Sequence, residues 1–494
     1  MPIDRNLQGS IMSESTPLLD KNTRIHMLGI GGIGVSAVAR VLHQRGYKVR
    51  GSDIRESSLT EALRAEGVEV AIGHDASQID GADVIVVSTA IPDHNIELVA
   101  AREQGIPVLH RSEVLAHLMQ GYRTVGVTGT HGKGTVSSMI AWILECAGLK
   151  PGFIIGAMLH NFGTNARDGE GDIMVVEVDE SDGSHLNIKP DYVVCNFLEL
   201  DHLNYYDGLD DIIQNMVDFM ESNERLKEAF VNLDCDGNRR LSELVALRPT
   251  GYATEHRAEF HARLLGPGQL PIKFEASRRG EVLGECELNL PGHYNVVNAM
   301  AAMAVCRRLG VEMPAIQEGL RTYKGMENRF TIATGGGVTI VKDYISHPTG
   351  MRKVLQSSLN LGEGRVISVF KPYRYTLIKY LQHEYGEAFV GSDEVIITKM
   401  YAAEEDPIPG INTMTVVERI RENDLECTYI EDQTQINDYL YEHVRPGDKV
   451  IFFGGDDFFR MADEFLAEFT QRAQTSGPSP EQRRVSGPFD EPSE

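Results

Sequence analysis

Long hydrophobic runs are missing from this sequence of 494 residues. No apolar stretch approaches the roughly 18 residues that are needed to span a bilayer. The first residues, MPIDRNLQGS, also lack the basic start and the apolar core of a signal peptide. We therefore expect a cytoplasmic protein that is not inserted into a membrane.

Cysteine and positive charge are also scarce. The six cysteines are scattered without a CxxC pair, which argues against a disulfide framework and a cysteine-based zinc site. The 47 Lys and Arg residues are outnumbered by 72 Asp and Glu residues, and the formal net charge is -25. Such a surface repels nucleic-acid phosphate, so we expect no nucleic-acid partner, although a local basic site can still bind ATP.

The chain has the length and the composition of a globular protein with several domains. Hydrophobic residues make up 42% of it and charged residues 24%, which is ordinary for a folded protein. A chain of 494 residues is too long for one hydrophobic core, so we expect two to four domains.

The most informative segment is VGVTGTHGKGTVSS, residues 125–138, where an apolar strand leads into a glycine-rich loop. Glycines let backbone N–H groups close around phosphate oxygens, and a helix opening near Lys133 would add the positive end of its dipole. Lys133 would meet the terminal phosphates, and Thr135 is the nearest hydroxyl for magnesium. Gly134 separates the two, whereas the usual P-loop has its hydroxyl residue directly after the lysine. The predicted ATP site comprises Gly129, Thr130, His131, Gly132, Lys133, Gly134 and Thr135.

A second glycine-rich loop follows the apolar strand that starts at Arg24. Gly29, Gly31 and Gly34 form a GxGxxG pattern, and Asp53 follows after a second apolar segment. In such a unit a pyrophosphate lies on the helix N-terminus and an acid about 20 residues later binds a ribose hydroxyl. Phosphate-binding loops near residues 30 and 130 imply two phosphorylated ligands. That favours a ligase or a kinase over a dehydrogenase.

Acidic residues follow two apolar strands beyond the second loop. The segment DIMVVEVDESDGS ends in Glu177, Asp179, Glu180 and Asp182. The segment VVCNFLELDH ends in Glu199, Asp201 and His202. Carboxylates at successive strand ends beside a P-loop suit divalent cations, which neutralise the charge on a transferring phosphate.

The motifs GIGGIGVSAVARVL, VAIGHDAS, TGTHGKGT, EVDESDGS and LELDH, in this order, resemble those of the Mur ligases of peptidoglycan synthesis. The resemblance runs from about Arg24 to about Phe469. It implies an α/β protein with a Rossmann-like UDP-sugar-binding domain (23–120), a central P-loop ATPase domain (121–328) and a Rossmann-like C-terminal domain that binds the acceptor (329–473). The composition predicts a flexible N-terminus (1–22) and a disordered tail (474–494).

The resemblance also implies an ADP-forming carboxylate-amine ligase. ATP would convert the carboxylate of a UDP-N-acetylmuramate-type substrate into an acyl phosphate, and an amino acid, with L-alanine favoured, would attack it through its amine. The family's cofactors are ATP and magnesium, and we expect a monomer or a weak homodimer. Closure of the domains is expected to assemble the site.

Site residues follow from the same resemblance. The catalytic candidates are Lys133, His202, Glu177 and Arg329, and the candidate magnesium ligands are Thr135, Glu177 and His202. The motifs PGHYNVVNAMAA, GMENRF and VKDYISHP add Asn295, Asn298, Arg329 and Asp343 to the ATP site. The UDP-sugar candidates are Gly29, Gly31, Gly32, Gly34, Asp53, His74, Ser88 and Thr89. The acceptor candidates are His347, Tyr373 and Arg374.

The C-terminal domain departs from the members of the family that add alanine. Their motifs DDYxHHP and FQPHRYTR appear here as KDYISHP and FKPYRYTL, so two histidines, one aspartate and one arginine are replaced. A hydrogen bond to a charged group contributes about 1.5–3 kcal/mol, so these replacements leave the identity of the acceptor open.

Three alternatives follow. LELDH and AWILECAGLKPGFIIG are more similar to the branch of the family that joins a recycled tripeptide to the same sugar. A diverged ligase with another acid and amine is a second alternative, and a non-catalytic regulatory homologue is a third. Intact Lys133, Thr135, Glu177 and His202 argue against the last of these.

Overall fold

The computed structural model describes residues 19–403 and 405–475, and it divides the chain into two compact units, Met1–Glu327 and Asn328–Glu494. Most of the predicted flexible N-terminus and of the predicted tail lies outside the described residues. Of the parts that are described, Leu19 is buried and the last helix extends to Thr475. Within the two described ranges, no helix combines the length and the apolar character needed to cross a membrane.

The first sheet has five parallel strands in the order β3-β2-β1-β4-β5. Its elements are β1 (Arg24–Leu28), α1 (Ile33–Gln44), β2 (Lys48–Asp53), α2 (Ser58–Ala65), β3 (Glu69–Ile72), β4 (Val84–Val87), α3 (Ile96–Glu103), β5 (Val108–His110) and α4 (Arg111–Leu118). Apolar runs such as VIVV in β4 suit strands that are covered on both faces. The strand order reverses beside β1, and in such sheets the crevice at that point takes the ligand.

The second sheet has ten strands in the order β15-β14-β13-β12-β11-β10-β6-β9-β7-β8. Its elements are β6 (Arg123–Thr128), α5 (Lys133–Cys146), β7 (Gly152–Leu159), β8 (Thr164–Arg167), β9 (Ile173–Glu177), β10 (Tyr192–Cys195), α6 (Leu209–Glu221), β11 (Glu228–Asn232), α7 (Asp236–Leu244), β12 (Thr250–Ala253), β13 (Phe260–Leu264), β14 (Ile272–Arg278), β15 (Glu281–Leu288), α8 (His293–Arg308) and α9 (Met313–Thr322). Seven neighbouring strands of this sheet, β13-β12-β11-β10-β6-β9-β7, pair in parallel. At one edge β14 and β15 pair antiparallel, and at the other edge β8 pairs antiparallel with β7. Helix α8 is apolar on nearly every face, which explains its burial against α5.

The second unit contains a third sheet, in the order β16-β17-β21-β18-β19-β20. Its elements are β16 (Thr331–Gly335), β17 (Val338–Asp343), α10 (Pro348–Leu359), β18 (Val366–Phe370), α11 (Tyr375–Ala388), β19 (Glu394–Thr398), α12 (Thr413–Arg421), β20 (Cys427–Ile430), α13 (Ile436–His443), β21 (Lys449–Phe453) and α14 (Asp456–Thr475). Only β16 pairs antiparallel. The central strands VISVF, EVIIT and KVIFF are buried throughout, as expected where helices cover both faces.

Helix α1 packs against the β7–β8 hairpin and so joins the two sheets of the first unit. Asn165 on β8 donates a hydrogen bond to the carbonyl of Ile33 (2.9 Å) and accepts one from the Arg40 guanidinium. Arg40 is only 2% exposed. At the other end of α1, Arg45 donates to Asp168 (2.8 Å). The helix that starts in the first glycine-rich loop is therefore anchored to the central domain by one buried and one half-buried polar contact.

Replacing Asn165 with alanine is expected to lower the free energy of unfolding by about 2 kcal/mol, because it leaves the buried Arg40 guanidinium and the Ile33 carbonyl without this partner. Urea denaturation of the wild type and the variant measures the loss. Asn289→Ala is the matched control, since Asn289 is exposed and its side chain makes one hydrogen bond, to Arg321 O (2.7 Å). Equal losses in the two variants would contradict the anchoring role of Asn165.

Candidate active site

Strand β6 lies between β9 and β10, and all three strands run in the same direction. Val127 is in register with Glu177, so the acid that ends β9 stands beside the end of β6. Helix α5 begins at Lys133, where the sequence predicts a helix. The glycine-rich loop therefore has the ends of two neighbouring strands on either side of it.

The loop packs tightly on the segment that follows β10. Gly129 has φ 113° and Gly132 has φ 78°. A Cβ on Gly129 would lie 2.5 Å from Phe197 O, and one on Gly132 would lie 2.3 Å from Asn196 Nδ2. Thr130 N also donates to Phe197 O (2.8 Å). Backbone conformation and close contact both restrict these two positions to glycine.

Lys133 is held by two oxygens at the start of α5. Its Nζ donates to Gly129 O and to Glu180 Oε1, both at 2.9 Å, and the Glu180 side chain is fully buried. Burial works to lower the pKa of Lys133, but the carboxylates of Glu180, Asp179 and Glu177 outweigh it and raise the pKa above its ordinary value. Lys133 is therefore firmly cationic at the position where terminal phosphates are predicted.

Glu180 connects Lys133 to the segment after β10. His202 Nε2 lies 3.2 Å from Glu180 Oε1, and Tyr206 donates its hydroxyl to Glu180 O (2.6 Å). Burial works to lower the pKa of His202, but Asp201 and Glu180 raise it above the ordinary value. The sequence groups Glu180 with the acidic residues of EVDESDGS that suit divalent cations, but it does not predict the ion pair with Lys133. No local pattern identifies that pair, because Lys133 lies 47 residues earlier in the chain.

The donor set for magnesium fits at Thr135 and Glu177. Glu177 Oε2 accepts a hydrogen bond from Gly156 N (2.7 Å), and a Cβ on Gly134 would lie 3.3 Å from the same oxygen. The carboxylate therefore reaches the first turn of α5, where Thr135 adds a hydroxyl, and magnesium prefers oxygen ligands. A histidine must be neutral to bind a metal, and the raised pKa of His202 opposes that. Its role as a ligand stays a prediction.

Asn295 and Asn298 lie in the first turns of α8 and are buried next to the loop. Asn298 accepts a hydrogen bond from Asn196 Nδ2 (2.8 Å) and donates one to Asn295 Oδ1 (3.0 Å). Asn196 also donates to His131 O (3.1 Å), and His131 Nε2 lies 3.2 Å from Glu199 Oε2. The structure thus brings α8 to the phosphate loop, as the two motifs predict when they are read together.

The first glycine-rich loop forms the predicted strand–loop–helix unit. Gly29 has φ 66°, and Gly32 is the N-cap of α1. Asp53 Oδ2 accepts a hydrogen bond from Gly31 N (2.9 Å), so the carboxylate contacts the loop itself. Gly34 lies in the first turn of α1, where a Cβ would be 3.4 Å from Arg111 Nη1. A ribose contact by Asp53 remains a prediction.

The DESDGS segment, residues 179–184, contacts the N-terminal domain as well as the ATP site. Asp182 accepts a hydrogen bond from Thr89 Oγ1 (2.9 Å), and Asp179 pairs with Arg111 (3.2 Å). Thr89 follows Ser88 directly beyond the end of β4. Burial works to raise the pKa of Asp179, but Lys133 and Arg111 lower it well below its usual range. One short segment therefore contacts the surroundings of both predicted phosphate sites.

In the second unit, Asp343 ties the start of the unit to the end of β17. Its Oδ2 accepts from Phe330 N (2.9 Å) and its Oδ1 from Ile345 N (3.0 Å). Burial raises the pKa of Asp343, although the nearby Arg329 acts against the rise. The Arg329 guanidinium carbon lies 5.6 Å from the centre of the Tyr344 ring. Both predicted ATP contacts of this unit, Arg329 and Asp343, therefore lie close together.

Tyr373 and Arg374 lie between β18 and α11 and are both half-buried. The Tyr373 ring stacks on Tyr401 at 5.9 Å, and the Arg374 guanidinium carbon lies 5.2 Å from the Tyr373 ring centre. Arg374 has φ 62° and donates its backbone N–H to Tyr401 O (2.9 Å), while its Nη1 lies 3.8 Å from Glu405. A non-glycine residue in this conformation is strained and often marks a functional site.

The remaining acceptor candidate, His347, and two of the replaced positions, Lys342 and Leu377, have structural roles in this unit. His347 caps α10, with Thr349 N donating to its Nδ1 (3.3 Å). Leu377, which stands where the family motif has arginine, is buried. Lys342, which stands where the motif has aspartate, donates to Asp463 (2.7 Å). These two departures from the family pattern are therefore accommodated within the fold of this unit.

Three family models match the chain. They are "Mur ligase family, catalytic domain" at residues 24–123, "Mur ligase middle domain" at residues 127–306 and "Mur ligase, glutamate ligase domain" at residues 328–455. The chain belongs to the Mur ligase family. The predicted family and the predicted three-domain α/β class are thereby confirmed, and the chain is an ATP-dependent, ADP-forming carboxylate-amine ligase.

Individual Mur ligases are similar over nearly the whole length. The UDP-N-acetylmuramate--L-alanine ligase of Geotalea daltonii is 38% identical over 453 residues, which cover 91% of this chain and 99% of the relative. The crystal structure of the UDP-N-acetylmuramate-alanine ligase of Thermotoga maritima has a TM-score of 0.77 at 23% identity and covers 92% of this chain and 100% of its own. A murein peptide ligase from Psychrobacter arcticus has a TM-score of 0.68 at 18% identity, with 91% and 99% covered. The two structures support the Mur ligase fold, while the domain boundaries and the site residues stay predictions.

The two ends of α5 in this Mur ligase offer a matched pair of glycine substitutions. Gly132→Ala is expected to reduce ATP-dependent phosphate release by at least about tenfold, because it adds a contact with Asn196 to the cost of about 1–2 kcal/mol for a left-handed alanine. Gly148 has φ 73° beyond the other end of α5 and no atom within 4 Å of its Cβ position. Gly148→Ala therefore carries the backbone strain alone and should keep full activity. If both variants lose activity equally, backbone strain rather than the contact with Asn196 explains the loss in Gly132→Ala.

Proposed function

We propose that this Mur ligase joins the carboxylate of UDP-N-acetylmuramate to the amino group of L-alanine, with ATP converted to ADP and phosphate. The observation that carries the ATP-dependent chemistry is the cationic Lys133 at the start of α5, with Thr135 and Glu177 beside it. The choice of substrates is supported by 38% identity to the L-alanine ligase of Geotalea daltonii over 91% of the chain.

The first step activates the acid. A carboxylate is a poor electrophile, so one of its oxygens attacks the terminal phosphorus of ATP, the bond to ADP breaks and an acyl phosphate forms. Charge builds on the transferring phosphoryl oxygens, and Lys133 is the group on this chain that stabilises it. The backbone N–H groups between Gly129 and Gly134 hold the phosphates at the helix N-terminus.

Magnesium, held by Thr135 and Glu177 with His202 as a further candidate, would supply positive charge against the phosphate oxygens. The acidic residues around Lys133 are consistent with a bound cation. Three carboxylates, Glu177, Asp179 and Glu180, raise the pKa of this single lysine. The local excess of negative charge is what a divalent cation would balance before a polyphosphate binds.

The second step forms the amide. The neutral amine of the amino acid attacks the acyl carbon, the nitrogen loses a proton and inorganic phosphate leaves. We place the carboxylate of the amino acid at Arg374, the arginine that the motif FKPYRYTL retains, with Tyr373 and His347 as neighbouring candidates. Arginine suits this task because its planar guanidinium can donate two parallel hydrogen bonds to a carboxylate.

The nucleotide sugar is assigned to the first glycine-rich loop. Gly29, Gly31, Gly32 and Gly34 would hold its diphosphate on the N-terminus of α1, with Ser88 and Thr89 at the end of β4 as side-chain contacts. Because nucleotide sugars and ATP are cytoplasmic metabolites, we propose that the enzyme acts in the cytoplasm. A tripeptide acceptor is less well supported, since the tripeptide ligase of Neisseria meningitides is 28% identical and covers 62% of this chain, against 38% identity over 91% for the L-alanine ligase of Geotalea daltonii.

Phosphate release by the purified protein tests the function directly. With ATP, magnesium and UDP-N-acetylmuramate, release is expected on addition of L-alanine and not on addition of L-Ala-D-Glu-diaminopimelate. The Lys133→Ala variant should lose at least about 10²-fold of this rate, because transition-state charge is then unpaired. Release with the tripeptide alone would replace the proposed acceptor. If the protein binds ATP but releases no phosphate with either acceptor, the proposed pair of substrates is refuted.

Arg374→Ala is expected to raise the KM for L-alanine by roughly 10- to 100-fold, because a hydrogen bond to a charged group contributes about 1.5–3 kcal/mol. The KM for ATP should stay at the wild-type value. Steady-state phosphate release at varied L-alanine and varied ATP measures both constants. Arg460→Ala, an exposed position on α14 of the same unit, controls for the loss of one positive charge. An unchanged KM for L-alanine in Arg374→Ala would remove Arg374 from the acceptor site.

A further inference from the structure

A buried cluster of four polar side chains lies in the N-terminal domain. Glu97, in the first turn of α3, has a side chain that is fully buried. Its Oε2 lies 2.6 Å from His26 Nε2 and accepts a hydrogen bond from Ser52 Oγ (2.9 Å). Its Oε1 lies 2.6 Å from His74 Nδ1. Two histidines therefore contact opposite oxygens of a single carboxylate.

The cluster holds Glu97 in its ionised form. Burial works to raise the pKa of Glu97, but the hydrogen bonds from His26, His74 and Ser52 lower it below the ordinary value. The position in the first turn of α3, where Asn95 caps the helix, also favours negative charge. A buried charge is costly unless it is fully paired, and apolar residues could fill a purely structural core at lower cost.

An ionised carboxylate can only accept hydrogen bonds, so both histidine nitrogens that face it must carry protons. For His26 this nitrogen is Nε2, and its Nδ1 has no hydrogen-bond partner among the residues that the structure describes. For His74 the protonated nitrogen is Nδ1. Glu97 therefore fixes the orientation of the His74 ring and directs Nε2 away from the cluster.

His74 lies at the edge of the first sheet where the ligand is predicted to bind. His74 follows β3, and Ser52 precedes Asp53 at the end of β2, so both lie at the edge where the parallel strands of the first sheet end. Asp53 contacts the glycine-rich loop through Gly31 at the same edge. The His74 side chain is 17% exposed, whereas those of His26 and Glu97 are at most 2% exposed. Only the outer member of the cluster can reach a ligand.

We propose that Glu97 is a positioning residue for the nucleotide-sugar site. It holds His74 through Nδ1 so that Nε2 meets a hydrogen-bonding oxygen of the UDP-sugar, and His26 and Ser52 hold Glu97 in place. This inference rests on the proposed function, because it takes the nucleotide sugar as the ligand of the first domain. It adds a role for two buried residues, Glu97 and His26, that lie behind that site.

A double-mutant cycle tests whether Glu97 acts through His74. The full-length wild type, Glu97→Ala, His74→Ala and the double variant are titrated with UDP-N-acetylmuramate by calorimetry. Each single variant is expected to raise the Kd by about tenfold, which is the loss of one hydrogen bond at about 1.4 kcal/mol. The double variant should raise it no further than His74→Ala alone. Full additivity of the two effects, or an unchanged Kd in Glu97→Ala, would overturn the proposal.

Kinetics separate positioning from a general loss of structure. Glu97→Ala should raise the KM for UDP-N-acetylmuramate while kcat and the KM for ATP keep their wild-type values, whereas a disturbed fold would change all three. Glu103→Ala, an exposed acid on the same helix, is the matched control and should change none of them. If Glu97→Ala does not fold, Glu97→Asp takes its place in the cycle, since its carboxylate is one methylene group too short to reach His74.

Failure of the proposed function has a different result from failure of this inference. A wild-type protein that binds ATP but not UDP-N-acetylmuramate would overturn both. A wild-type protein that binds the nucleotide sugar, together with a Glu97→Ala variant of equal affinity, would overturn only the positioning role.

Discussion

Lys133 and Glu180 form an ion pair in the interior of the first unit, and three segments of the chain meet at it. Lys133 begins α5, Glu180 follows β9, and His202, which follows β10, approaches the same carboxylate. The parallel strands β9, β6 and β10 bring these segments to one edge of the sheet. Removing one partner of a buried pair typically costs about 3–5 kcal/mol, because the other charge is left uncompensated. Lys133 also donates to Gly129 O in the phosphate loop, so the loop is connected to this pair.

The sequence predicts the local units of the fold well. Glycine-rich loops between an apolar strand and a helix are local patterns, and the structure has α1 and α5 beginning where those patterns place them. The order of the strands is not a local property. Nothing near Lys449 in the sequence indicates that β21 lies between β17 and β18 in the third sheet. Pairing of that kind is decided by packing between distant segments, which hydrophobic periodicity does not report.

The same distinction separates the predicted site residues from the two that sequence reasoning missed. Lys133 and Thr135 are identified by their neighbours in the chain, whereas Glu180 pairs with a lysine 47 residues away and Glu97 contacts His74, which is 23 residues away. Asp53 is predicted from spacing alone, and the structure adds that its carboxylate contacts Gly31 N. A buried acid is recognisable from sequence only when its partner is close in the chain. Both acids are fully buried and contact predicted site residues, Lys133 and His74.

The anchoring of α1 to the β7–β8 hairpin limits how this protein could exchange parts with its relatives. A chimera joined between α4 and β6 would keep α1 and lose the native β8, so the buried Arg40 would need an acceptor in place of Asn165 and Arg45 one in place of Asp168. Recombination that respects these contacts has to carry the hairpin together with the N-terminal domain, although 33 residues separate Leu118 from Gly152. The segments that must be exchanged together, the N-terminal domain and the β7–β8 hairpin, are therefore not contiguous in the chain.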